Sequence, residues 1–115
     1  MDKSTRYYSD KQEKHIARVT GGAVTPNSGG TKFGGGDVIA EPILIEAKTL
    51  TRKQGSFSVK KDWIDKAFEQ AFEQGMDESV LAFQFEPEGE NYYVLTEKQF
   101  LEYLRHRQEE YYGNY

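Results

Sequence analysis

Two acids and a base lie within twelve residues of one another: Asp37, Glu46 and Lys48. Asp37 follows a glycine run and leads into Val38-Ile39-Ala40, whereas Glu46-Ala47-Lys48 ends the apolar run Ile43-Leu44-Ile45. Successive side chains leave opposite faces of a strand, so Glu46 and Lys48 share one face and Ala47 takes the other. If the two apolar runs are neighbouring strands, Asp37 comes close to Glu46. Two carboxylates and an ammonium then converge. Such a set suits a hard divalent cation such as magnesium, which prefers oxygen ligands and retains water, and leaves the lysine to act on a phosphate or a water. Each part also has a plainer reading, with Glu46 and Lys48 as a solvated pair and Asp37 as a turn residue.

The elements that must position these residues follow an alternating order. Ser9 followed three residues later by Gln12 is a capping-box pattern, which predicts a helix from about Asp10 to Val19, stopped by Gly21-Gly22. Residues 21–36 contain seven glycines and one proline. They are expected to form an irregular loop, either a connector or an arm that orders on a substrate. No Gly-Lys-Ser/Thr follows, so this is not a Walker-type phosphate loop. Residues 50–58 form a polar crossing that carries Arg52 and Lys53. Trp63, Ile64, Ala67, Phe68, Ala71 and Phe72 then recur at helical spacing, predicting a core-facing helix from about Lys60 to Gln74 with Gly75 as its stop. Lys60, Lys61 and Lys66 lie off that stripe, free to face phosphates or solvent. Residues 79–85 and 92–95 read as a hairpin turning at Gly89-Glu90-Asn91. Thr96 caps a last helix bearing Phe100, Leu101 and Leu104, and residues 1–8 and 106–115 are expected to be flexible tails. The sum is a single α/β domain with a mixed central sheet flanked by helices.

Composition narrows the chemistry. The 115 residues include no cysteine, which removes disulfides, zinc–thiolate sites and thiol nucleophiles. His15 and His106 have no partner at metal-ligand spacing, and no Gly-x-Ser-x-Gly elbow is present. No segment is apolar over a bilayer-spanning length, and the start Met1-Asp2-Lys3-Ser4 lacks a signal-peptide core, so a cytoplasmic protein with no membrane association is expected. The net charge of -4 is unusual for a phosphate binder, yet it is unevenly spread. Residues 1–66 carry 12 Lys and Arg against 8 Asp and Glu, and residues 67–115 carry 3 against 11. The candidate site lies in the basic part, although a solvated face gives the same asymmetry.

Gly36-Asp37, then Ile45-Glu46-Ala47-Lys48, resembles the signature of the PD-(D/E)xK nuclease superfamily: an acid at one strand end and Glu-x-Lys on the next strand. Gly36 stands where the signature has proline. The resemblance extends over residues 9 to 104 to the small Holliday junction resolvases of archaea and phages. Their pattern comprises an N-terminal helix bearing a glutamate (here Glu13), a Gly/Ser loop, the Gly-Asp-Val and Ile-Glu-Ala-Lys-Thr segments, a long helix and a strand pair.

That resemblance implies a restriction-endonuclease-like core and a metal-dependent endonuclease of recombination and repair, encoded by a phage or by a microbial host. Asp37, Glu46 and the carbonyl of Ala47 would hold Mg2+ or Mn2+. Glu13 would complete the site directly or through water, and Lys48 would orient the attacking water or stabilise charge on the phosphate. Ser28, Thr31 and Lys32, with Arg52, Lys53, Lys60 and Lys61, are the residues expected on DNA. Two symmetric cuts in a four-way junction imply a homodimer. Three other readings stay open: a structure-selective or nonspecific nuclease, a non-catalytic DNA-binding module, and a protein-interaction domain using the acidic C-terminal half.

Overall fold

The computed structural model describes residues 3–25 and 36–113. Helices and strands follow in the order α1 (Thr5–Thr20), β1 (Ala23–Val24), β2 (Gly36–Ala40), β3 (Ile43–Ala47), α2 (Lys61–Glu73), β4 (Glu78–Phe83), β5 (Tyr92–Val94) and α3 (Glu97–Tyr112). The strands form one sheet in chain order, antiparallel throughout except for the parallel pair β3 and β4. Parallel neighbours need a long crossover, and α2 supplies it. The protein is thus a mixed α/β fold, as its alternating pattern predicts.

Strand alternation divides the sheet into two faces. Val38, Ile45, Ala47 and Ala82 point to one, where they pack with Ile16 of α1 into the buried core. Asp37, Leu44, Glu46 and Leu81 occupy the other, because Asp37 is paired with Glu46, and Glu46 with Leu81, across neighbouring strands. That second face is covered by α2, whose Ala67 and Ala71 are buried. Each of the larger aliphatic side chains so buried contributes on the order of 2 kcal/mol.

Helix α1 starts five residues earlier than its capping-box pattern predicts. Ser4 is the N-cap, its hydroxyl accepting from the Tyr7 amide at 3.2 Å. Ser9 lies buried inside the helix and donates to Glu13 Oε2 at 2.5 Å. Residues 5–8, expected in a tail, are therefore the first helical turn. Gly21 closes α1 with a left-handed φ of 71°, a conformation that costs glycine little. Gly22 is fixed by packing, since a Cβ there would meet Ile39 O at 2.5 Å. This close approach brings Ala23 and Val24 beside Ile39 and Val38 as a two-residue edge strand within the expected loop.

Helix α2 and the β4–β5 hairpin lie close to their expected bounds, with Gly75 at φ 77° ending the helix turn. Phe72 departs from the predicted core stripe and is 84% exposed. The buried line of α2 runs through Ala67 and Ala71, and Phe72 stands about 100° further round the helix axis. Thr96 caps α3 through a complete capping box with Gln99, whose amide also donates to Glu78 Oε1 and Ser79 O at 2.8 Å each. Residues 106–112, expected in a tail, are the helical end of α3, none of whose residues is buried. Among the described residues no helix is long and apolar enough to cross a membrane.

Candidate functional site

Asp37 and Glu46 are directly opposed on the antiparallel strands β2 and β3. Asp37 is 4% exposed, and the side chain of Glu46 is 16% exposed. Lys48 follows β3, and its backbone amide donates to Ala82 O at 2.7 Å, carrying the β3–β4 ladder one residue further. Its ammonium lies 3.8 Å from Glu46 Oε1 and 4.4 Å from the centroid of the Trp63 ring on α2. The three side chains singled out by type and spacing are therefore together on the α2 face.

The electrostatics of this group are unbalanced. Burial raises the Glu46 carboxyl first, and a hydrogen bond to Asp37 and the charge of Asp37 raise it further, to about 9. Lys48 pulls in the opposite direction and does not offset them. Glu46 Oε2 is buried, and no N–H or O–H group among the described residues donates to it. Asp37 is better supplied, because the Gln70 amide on α2 donates to its Oδ2. Two adjacent carboxylates with an unpartnered oxygen are chemically suited to a shared proton or to a hard cation such as magnesium, which takes carboxylate oxygens together with water. Among the described residues no group of three or more His, Cys, Asp and Glu side chains is placed to hold a metal ion.

Glu13 does not join the pair in such a group. It projects from α1, which covers the opposite face of the sheet, and it is buried beside Ser9. The Ala47 side chain is part of the core on that same face. The neighbouring Gln12 has a role that no local pattern announced. Its amide nitrogen donates to Lys48 O at 3.1 Å and to Asn91 Oδ1 at 3.0 Å, and its oxygen accepts from Thr49 Oγ1 at 2.7 Å. One buried side chain therefore ties α1, the end of β3 and the β4–β5 connection together, fixing the backbone that carries Lys48.

A cleft of about 590 Å³ opens beside the pair, lined by Glu46, Lys48, Phe57, Lys60, Trp63 and Gln70 among others. Phe57, Phe83 and Tyr92 form a run of stacked rings, with centroids 4.8 and 5.8 Å apart, and Trp63 extends it. Lys60 reaches to 5.6 Å from the Trp63 centroid, so it faces the cleft. Lys61 instead pairs with Asp65 at 2.8 Å on the helix surface. Arg52 and Lys53 are exposed on the crossing between β3 and α2. Ser28, Thr31 and Lys32 lie outside the described residues. The spacing of Trp63 predicts a core position, whereas it lines the cleft, and Phe57 and Gln70 carry no local signal. A buried acid facing a helix that carries Gln at a core-side position is the feature that would have marked Gln70.

No family model matches the chain, and neither a curated protein nor a solved structure matches it.

Proposed function

We propose that the protein is a metal-dependent endonuclease that hydrolyses DNA phosphodiesters, with a PD-(D/E)xK-type core, and that its substrate is a branched DNA of the four-way junction class. The observation that carries this reading is the register pairing of Asp37 with Glu46, with Lys48 on the same face. An acid on one strand beside Glu-x-Lys on the next is the arrangement that the sequence resemblance asks for, and the pairing is consistent with it. The order α1, β2, β3, α2, β4, β5 supports it further, following the resolvase pattern of helix, motif strands, long helix and strand pair.

Asp37 and Glu46 would hold Mg2+ or Mn2+, with the Ala47 carbonyl as a further oxygen on the same strand. When bound, the ion would supply Lewis-acid polarisation of a phosphoryl oxygen and acidification of water. Gln70 fixes the Asp37 carboxylate in orientation by donating to one oxygen. The Lys48 ammonium lies against the Trp63 ring and Glu46, and from there its N–H donors would reach a phosphate entering the cleft. Donation to an oxygen that gains negative charge in the transition state is worth on the order of 3 kcal/mol when the donor is preorganised. Water adds to phosphorus, one P–O ester bond breaks, and the leaving oxygen takes up a proton. Buried Gln12 keeps the Lys48 backbone from shifting during this exchange.

Junction resolution needs two symmetric cuts and one small domain carries one site, so the working unit is proposed to be a C2 homodimer. Cleavage of a labelled four-way junction beside duplex, flap and single-stranded DNA, with the mass in solution measured in parallel, tests the substrate. Paired symmetric nicks in the junction by a dimer are expected. Equal cutting of every substrate by a monomer would leave a general nuclease and remove the junction assignment.

A further inference from the structure

A second groove lies on the α1 side of the sheet, away from the carboxylate pair, and encloses about 360 Å³. Lys11, Lys14, His15 and Arg18 line it from one face of α1, and the β4–β5 connection closes the other side. The spacing 11, 14, 15, 18 puts all four on one helical stripe. Like charges so placed destabilise a helix unless something offsets them. One acid does so across the groove: Glu88 lies 3.4 Å from Lys11. Among the described residues no acid pairs with Lys14 or Arg18, whereas Lys61 and Lys66 of α2 are each paired with an aspartate of their own helix. Arg18 is nonetheless held in place, its Nη2 lying 2.9 Å from His15 Nδ1.

The groove is also structurally continuous with the candidate active site. Gln12 and Gln84, 2% and 3% exposed, are the buried amides in its wall. Gln12 is the same side chain that donates to the Lys48 carbonyl on one side and to Asn91 on the other. The positive stripe and the cleft therefore flank the two sides of one strand end, with a single residue bridging them. A protein of net charge -4 that concentrates unpaired cations beside this point is arranged to take a polyanion there.

We propose that the α1 groove is a second phosphodiester-binding site, in which Lys14 and Arg18 contact the DNA backbone away from the phosphate being cut. This rests on the nuclease reading and adds to it a surface that the glycine-rich loop and the β3–α2 crossing do not supply.

The test measures binding of fluorescent DNA by anisotropy across a salt series, in EDTA and in a Glu46→Gln background so that no cleavage intervenes. Lys14→Glu with Arg18→Glu is compared with Lys98→Glu with Arg105→Glu on α3, which changes net charge equally. Each phosphate contact contributes roughly 0.9 to the slope of log K against log salt on duplex DNA. The groove variant is expected to lose affinity at least about tenfold and to show a slope shallower by roughly 2, with the α3 variant close to the parent. Equal effects in the two variants, or none in either, overturn the groove while leaving the nuclease reading intact. Absence of DNA binding by the parent at low salt overturns both. Thermal melts of each variant confirm that the fold is retained.

Discussion

Asp37 and Glu46 face one another across the β2–β3 ladder, and burial together with that proximity lifts the Glu46 carboxyl to about 9. A site so arranged is poised between two occupants. A proton satisfies it at neutral pH, and under the proposed nuclease reading a divalent cation would compete for the same oxygens.

The metal-free fold should therefore lose stability as pH rises. Glu46 titrates near 4.5 when unfolded and near 9 when folded, so the native state holds the extra proton between those values. Its contribution is fully present below about 4.5 and is lost as pH rises through about 9. The slope for one proton is at most about 1.4 kcal/mol per pH unit. Thermal melts in EDTA should show Glu46→Gln gaining on wild type as pH increases; parallel curves would contradict the assignment.

Divalent cation should reverse that trend. Binding needs the ionised carboxylates, so added Mg2+ or Mn2+ is expected to raise the melting temperature of wild type more at pH 8 than at pH 6. Neither Asp37→Asn nor Glu46→Gln should respond. A pH-independent stabilisation shared by all three proteins would place the ion elsewhere.

Trp63 and Gln12 act on Lys48 from opposite sides of the sheet. Trp63→Ala removes the ring under the ammonium and should lower the cleavage rate about tenfold with little change in DNA affinity, and Trp63→Phe should recover most of it. Gln12→Ala leaves the Thr49 hydroxyl, the Lys48 carbonyl and Asn91 without their partner, a loss of about 1–3 kcal/mol in denaturant unfolding.

Burial separates two apolar positions that look alike in the sequence. Ile16 is fully buried, and Ile16→Ala should cost about 2–5 kcal/mol. Phe72 has the spacing of a core position in the sequence yet is 84% exposed, and Phe72→Ala should stay within about 0.5 kcal/mol of wild type in the same unfolding measurement.

What could be read from the chain depended on the range of the interaction. Alternation along Ile43–Lys48 is enough to place Glu46 and Lys48 on one face, and the apolar run after Asp37 marks a strand, because both signals are local; that the two strands are neighbours is a condition which only the pairing meets. Thr96 with Gln99, and Gly75 after α2, likewise end or begin helices through contacts of three or four residues. The start of α1 was missed because Thr5-Arg6-Tyr7-Tyr8 has no apolar period, and Ser9 has the chemistry of a cap but spends its hydroxyl on Glu13. Strand β1 exists only through its pairing with β2, and two residues between a glycine pair and Thr25-Pro26 carry no pattern of their own. Gln12 and Gln70 bond to residues more than thirty positions away, beyond the reach of any spacing rule. Glu13 has the residue type that the resolvase pattern asks for, but the face on which α1 packs decides its surroundings.

Cleavage of labelled branched DNA by wild type and Glu46→Gln, each with Mg2+ and with EDTA, decides whether the carboxylate pair is a nuclease site. Cutting by wild type in Mg2+, abolished both by EDTA and by the substitution while DNA binding persists, is the predicted result. Undiminished cutting by purified Glu46→Gln, or tight binding with no cutting by wild type in either Mg2+ or Mn2+, would contradict it.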